Sequence, residues 1–204
     1  VGKITKEIEY AINKNILLIN AESKSEILEI EKIAKNKKKI VDIGLRLNPN
    51  TDAKTLKQIS TGKRENKFGV DQKLFLQLVK FIKKSKYLKL KCLSVHIGSQ
   101  ILNHKPYQNM LKVVNTIVKK SNHKFEYIDL GGGMGIDYLH NNNKFNLKKY
   151  SLNIQKFLKK KNSKIIFEPG RSIIGNTAIL ITKIIYIKKG YKKDFIILDS
   201  AMND

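Results

Sequence analysis

The sequence predicts an α/β fold built around a parallel sheet, and three observations carry that reading. Helical and extended apolar patterns alternate through most of the 204 residues. The extended runs are short and apolar, as buried strands are. Each strand except the first runs into a polar, glycine-containing or motif-like segment, and in parallel α/β folds chemistry collects at those carboxyl ends.

The elements follow in order. Lys3–Asn15 carries Ile4, Ile8, Ala11 and Ile12 at helical spacing, and Ile16–Asn20 reads as the first strand. Ser23 and Glu26 have the spacing of a capping box, opening a helix with Ile27, Ile30, Ile33 and Ala34 on one face. Ile40–Leu47 is the second strand. Asn48–Val70 is a long polar segment without clear periodicity, and loops of that length tend to be functional or disordered. Asp71 caps a helix with Leu74, Phe75, Leu78, Val79 and Ile82 inward. Cys92–Ile97 is the third strand, and Pro106 suits the first turn of the next helix, whose core face is Met110, Leu111, Val114, Ile117 and Val118. Phe125–Leu130 is the fourth strand. After a loop at His140–Asn143, Asn146 caps a helix with Leu147, Tyr150, Ile154, Phe157 and Leu158. Lys164–Glu168 is the fifth strand. Then the rhythm changes: Thr177–Lys188 and Asp194–Ser200 are both extended with no helix between them, which predicts the start of an antiparallel β region. Five strand–helix units are visible if the helix after the fifth strand is displaced. A closed eightfold barrel needs about 250 residues, so the chain holds only part of one.

Composition narrows the function. The net charge is +24, but 38 of the 41 basic residues are lysines spread along the whole chain. The three arginines, Arg46, Arg64 and Arg171, are few for nucleic-acid recognition, which favours the bidentate guanidinium. Abundant Ile and Asn beside the Lys match AT-rich codon usage. The charge therefore reads as solvated surface, with no nucleic acid as partner. No apolar run of about 18 residues occurs, so no membrane span is expected. The single Cys92 excludes an internal disulfide and suits a reducing cytoplasm. It reads as a packed thiol. His104, His123 and His140 are widely spaced, form no metal pattern with Cys92, and read as surface or loop residues, so no metal is expected. The chain opens without Met, which suggests a piece of something longer.

The run Ile128-Asp129-Leu130-Gly131-Gly132-Gly133-Met134-Gly135 breaks a strand into four glycines. Successive N–H groups in such a turn can form an anion cradle. Ile136 spoils a G-x-G-x-x-G match, and no Gly-Lys-Ser/Thr follows. On this run alone, a plain glycine turn and a phosphate loop both stay open.

Its company is more specific. Ser60–Gly69, Ser94-Val95-His96-Ile97-Gly98-Ser99-Gln100, the glycine run, and Glu168-Pro169-Gly170-Arg171-Ser172 lie in succession at strand ends. Together they resemble the diaminopimelate decarboxylase family, pyridoxal-phosphate enzymes of the alanine-racemase-like barrel fold. Matching segments run from the first residues to the last, and Leu198–Asp204 resembles the entry into that family's C-terminal β domain. The resemblance implies a partial (β/α)8 barrel of about the last five strands over residues 1–176, then the start of an antiparallel β domain over 177–204. It implies pyridoxal 5'-phosphate as cofactor, meso-2,6-diaminopimelate as substrate, L-lysine and CO2 as products, and a homodimer. By the same resemblance His96 stacks on the cofactor ring, and Glu168 faces the pyridine nitrogen; these two are the candidate catalytic residues. Gly132, Gly133 and Ser99 bind the phosphate, Pro169, Gly170 and Arg171 close that site, and Arg171 also meets a substrate carboxylate. Lys67 resembles a lysine near the subunit interface of the ornithine relative. The family's Tyr-Ala-x-Lys-Ala-Asn-like segment, which carries the cofactor lysine, has no match here. The rival readings are another decarboxylase of this fold acting on ornithine, arginine or a carboxylated polyamine, a non-catalytic regulatory relative, and a basic nucleic-acid binder.

Overall fold

Strand order equals chain order. In the computed structural model, which describes residues 2–53, 61–62, 66–141, 144–159 and 161–201, five strands pair in parallel as β1 (Ile19–Ala21), β2 (Val41–Leu47), β3 (Leu88–Val95), β4 (Tyr127–Asp129) and β5 (Lys164–Ile166). Each new strand is laid down on the same side of the last. Right-handed crossovers that always advance in one direction put every connecting helix on one face of the sheet. That face is packed by α1 (Thr5–Asn13), α2 (Lys24–Asn36), α3 (Gln72–Ile82), α4 (Lys105–Ser121) and α5 (Leu147–Leu158). Helices on one face are the arrangement of a barrel rather than of a doubly wound sheet. The predicted fold class is thus the observed one.

The helices form for the reasons the sequence offers. Ser23 Oγ accepts the Glu26 N–H at 3.1 Å, and Asp71 Oδ1 accepts the N–H groups of Lys73 and Leu74 at 2.8 and 3.0 Å. The Glu26 carboxylate reaches one residue further back than a capping box requires, taking the Glu22 N–H at 2.7 Å. Asn146 Oδ1 caps α5 through the Lys149 N–H at 2.9 Å. Ile27, Ile30, Ile33 and Ala34 of α2, and Phe75, Leu78, Val79 and Ile82 of α3, are buried against the sheet. Each such aliphatic or aromatic side chain contributes about 1.5–3 kcal/mol.

Several predicted boundaries are corrected. Asn15 adopts positive φ and ends α1, so Ile16 and Leu17 are exposed and β1 starts only at Ile19. Ile40 is likewise exposed outside β2. Strand β3 begins at Leu88, ahead of Cys92, because Leu88 and Leu90 are buried while Lys91 finds Asp42 at 2.8 Å and Glu126 at 3.3 Å on the neighbouring segments. Leu147 opens α5 pointing into solvent, away from its core face. Glu168 lies past the end of β5. His123 lies in the loop between α4 and β4, as one of the expected alternatives, and is half-buried there, its Nε2 at 2.8 Å from the Leu90 carbonyl oxygen and its ring edge-on to Phe125. Cys92 is fully buried, and burial with the nearby Asp129 charge pushes its thiol up to about 12. Of the polar segment 48–70, residues 54–60 and 63–65, among them Ser60, Lys63, Arg64 and Glu65, lie outside the described residues, as do Asn142, Asn143 and the closing Met202-Asn203-Asp204.

The chain divides into two compact units, Val1–Ile173 and Ile174–Asp204. The second holds an antiparallel pair, β6 (Ile184–Lys188) with β7 (Phe195–Leu198), in which Lys188 is opposite Phe195 and Ile184 opposite Leu198. Residues 177–183 form no strand. Among the described residues after β5 the only helix is the single turn α6 (Arg171–Ile174), so the expected fifth strand–helix unit is cut to one turn.

Candidate active site at the strand ends

The site grows from one face of the sheet. Side chains two apart on a strand share a face, and the register aligns Arg46 with Ser94 and Ser94 with Asp129 across β2, β3 and β4. One step earlier, Asn20, Gly44 and Cys92 are aligned. Gly44 has no substitute there: a Cβ would stand 1.9 Å from Asn20 Oδ1. Only a bare backbone leaves room for the Asn20 amide to cross the sheet and donate to Asp129 Oδ2 at 3.1 Å.

Asp129 is the hub of this face and is 1% exposed. Its carboxylate accepts from Ser94 Oγ at 2.9 Å and from Asn20 at Oδ2, and from the Gly131 N–H at 2.8 Å at Oδ1. Three donors satisfy a buried charge that would otherwise be costly. At the neighbouring strand end, Arg46 pairs with Glu22 at 2.9 Å, and Glu22 also takes the Gly69 N–H at 3.0 Å. Burial works to raise Glu22, but the Gly69 N–H and the Arg46 guanidinium outweigh it and hold the carboxyl below its ordinary range.

The predicted residues come together around this hub. His96 lies just past β3, half-buried, with Nδ1 accepting the Gly132 N–H at 3.2 Å. That bond needs a free lone pair on Nδ1. Burial and the Arg46 charge lower the histidine in the same sense, so the ring is neutral and carries its proton on Nε2. The Glu168 N–H donates to the Gly131 carbonyl at 3.0 Å, which ties the end of β5 to the glycine run. The Glu168 side chain keeps contact with solvent. Partial burial and the Asp129 charge raise it, against a smaller opposing pull from Arg46.

Gly131 and Gly133 have φ of 64° and 93°, a region that favours glycine. A Cβ on Gly132 would stand 2.0 Å from the Glu168 carbonyl oxygen, and one on Gly133 would stand 2.0 Å from the Gly98 carbonyl oxygen. The run is therefore clamped between the ends of β3 and β5. Ser99 follows Gly98 on that wall and is partly buried. Arg171 donates from Nη1 to Gln100 Oε1 at 3.2 Å and lies 5.7 Å from the Tyr138 ring centroid. Gln100 also bonds both the N–H and the carbonyl of Ile136. Pro169 and Gly170 bridge Glu168 to Arg171, and a Cβ on Gly170 would meet nothing within 4 Å. Protein packing does not require glycine at 170, which is exposed. Lys67 Nζ lies 5.4 Å from the Phe68 ring centroid, with Arg46 at 5.0 Å from the same ring.

Asp129, Arg46, Glu22, Gln100 and Tyr107 were assigned no role from sequence. The signal for two of them was there: Arg46 and Asp129, like Ser94, are polar residues set within one residue of the end of an apolar strand. Glu22, Gln100 and Tyr107 carry no such mark, because their roles depend on contacts far along the chain.

These features have a counterpart among known proteins. The family model described as "Pyridoxal-dependent decarboxylase, pyridoxal binding domain" matches residues 1–175. The chain belongs to the pyridoxal-dependent decarboxylases. It is 40% identical to the diaminopimelate decarboxylase of Helicobacter pylori strain J99 and 38% identical to that of Neisseria meningitidis serogroup B. Each alignment covers all of this chain and 51% or 50% of the relative. The crystal structure of the Helicobacter pylori diaminopimelate decarboxylase complexed with L-lysine superposes with a TM-score of 0.88, at 40% identity, over 100% of this chain and 52% of that one. The chain thus spans about half the length of the relatives it matches. Within this decarboxylase family the matched region is the pyridoxal-binding domain, and the cofactor is the pyridoxal group. The residues present suit such a group: a run of glycines with positive φ at Gly131 and Gly133, a neutral histidine, and a carboxyl raised toward its protonated form.

Proposed function

We infer that this chain is the pyridoxal phosphate-binding part of an enzyme that decarboxylates meso-2,6-diaminopimelate to L-lysine. The observation that carries the reading is likeness along the whole chain to diaminopimelate decarboxylases, at 37–40% identity for those from Helicobacter, Neisseria and Aquifex. When bound, pyridoxal phosphate supplies an electron sink for the bond to the departing carboxylate. The chain's own residues do the rest. His96, neutral and fixed by the Gly132 N–H, offers its flat ring as a wall for the cofactor ring. Glu168, whose carboxyl is raised by partial burial and by Asp129, would face the pyridine nitrogen, where a carboxylate favours the protonated ring. Gly132, Gly133, Ser99, Pro169 and Gly170 form the phosphate end. Arg171, held by Gln100, supplies a guanidinium for that phosphate or for a substrate carboxylate. Residues 1–176 form the barrel part and 177–204 begin the β domain. A homodimer and a cytoplasmic location complete the reading, and the buried, unpaired Cys92 suits a reducing compartment.

The test is a substrate panel on the full-length protein with pyridoxal phosphate. CO2 release from meso-diaminopimelate should far exceed that from ornithine, arginine or lysine, and should collapse in E168A. Equal or greater release from ornithine or arginine would reassign the substrate. The 204-residue chain on its own, which has no Tyr-Ala-x-Lys segment, should release none.

A further inference from the structure

We propose that Tyr107 is a positioning residue for the phosphate cradle: its hydroxyl locks the Gly132–Gly133 peptide so that the Gly133 N–H is aimed at the bound phosphate. The inference rests on the phosphate reading of the glycine run.

The Tyr107 hydroxyl donates to the Gly132 carbonyl at 2.9 Å, from a side chain that is 0% exposed. Water cannot compete for that bond. The ring is wedged between Phe145 and Tyr150, with centroids at 5.6 and 4.8 Å, so the hydroxyl has one position. In a planar trans peptide, the carbonyl of one residue and the N–H of the next point in opposite directions. Holding the Gly132 carbonyl against α4 therefore turns the Gly133 N–H away from α4.

The other donors of the run are already taken. Gly131 N–H goes to Asp129, Gly132 N–H to His96, Gly135 N–H to the Ile101 carbonyl, and Ile136 N–H to Gln100. Among the described residues, no protein acceptor meets the N–H of Gly133 or Met134. A partly buried backbone donor without a protein partner in such a loop is a group awaiting an acceptor. The lock matters because the peptide lies between two glycines, where the backbone barrier to a flip is low. Without the hydroxyl, the Gly132 carbonyl loses its partner and the Gly133 N–H loses its fixed direction.

The experiment uses the full chain, 15N-labelled, titrated with inorganic phosphate and then with pyridoxal 5'-phosphate and pyridoxal. The Gly133 amide should move most within the run. Y107F should bind pyridoxal 5'-phosphate roughly fivefold more weakly, the worth of one neutral hydrogen bond, while its affinity for pyridoxal, which lacks the phosphate, stays unchanged. A merely structural hydroxyl would lower the melting temperature and leave that ratio alone, and this outcome overturns the role of Tyr107. Y107L gives a second hydroxyl-free packing should Y107F fail to fold, and it must lose the same phosphate preference. In the unaltered chain, shifts at Ser99 and Gly170 with none at Gly133 would also overturn the inference while leaving the phosphate site standing. No shift at any of these amides would overturn the phosphate reading along with it.

Discussion

Two carboxyl groups on the sheet's open face behave differently because their neighbours differ. Asp129 is buried among three donors, whereas Glu168 has the Asp129 charge beside it and solvent on its other side. Glu168 is therefore raised above its unfolded value by partial burial and by Asp129. A carboxyl raised in the folded state binds its proton more tightly there than when unfolded. Stability then falls as pH climbs from the unfolded carboxyl range through the folded one. E168Q removes that penalty. Its melting temperature should exceed that of the parent at pH 7–8 and match it near pH 4, where both forms are neutral. An equal gain at both pH values would assign the effect to packing. His96 runs the other way, lowered by burial and by Arg46, so its contribution is full above its unfolded value and fades as pH drops below it.

At the scale of elements, the glycine run is a strand end held open by its backbone, and the phosphate reading rests on it. Its four glycines are not equivalent. Gly133 combines φ of 93° with a neighbour 2.0 Å from any Cβ, whereas Gly170 has neither constraint. G133A should lower stability by about 2 kcal/mol, from backbone strain, in urea denaturation. G170A should leave stability within about 0.5 kcal/mol yet weaken pyridoxal 5'-phosphate binding, as the proposed place of Gly170 at the phosphate end requires. A G170A protein that binds the cofactor as well as the parent would remove Gly170 from the site. The same logic explains why β3 and β4 matter beyond their length: their ends carry His96 and Asp129, and both grip the run's N–H groups.

For the whole molecule, the two units differ in how they are held. Val1–Ile173 has a core that extends from Ile8 to Phe157, with the central strands β2 and β3 paired along seven residues. Ile174–Asp204 holds one hairpin whose strand residues are all exposed, including Ile184, Tyr186, Phe195 and Ile197. An isolated two-stranded hairpin is marginal in water. Amide hydrogen exchange on the chain should therefore be slow at Ile43, Leu45 and Leu93 and fast at Ile187 and Ile196. Protection of the hairpin equal to that of β2 would show that it gains a covering surface from chain or partner.

Most of the fold was legible in the sequence because it is written locally. Ser23, Asp71 and Asn146 announce their helices by side chains that bond within three residues, and apolar spacing marks the buried faces. Boundaries failed where apolar residues turned out to be exposed: Ile16, Ile40 and Leu147 look like core and are not, since burial depends on what the fold brings opposite them. The candidate site was legible as four segments, with the glycines, His96, Glu168 and Arg171 marked by resemblance. What joins them was not. Asn20 reaches Asp129 across 109 positions of sequence, Arg171 reaches Gln100 across 71, and Tyr107 reaches Gly132 across 25. Local chemistry specifies which residues can act, through propensity and spacing. Only the parallel register, which stacks distant strand ends side by side, decides which donor meets which acceptor and leaves the Gly133 N–H without a protein acceptor among the described residues.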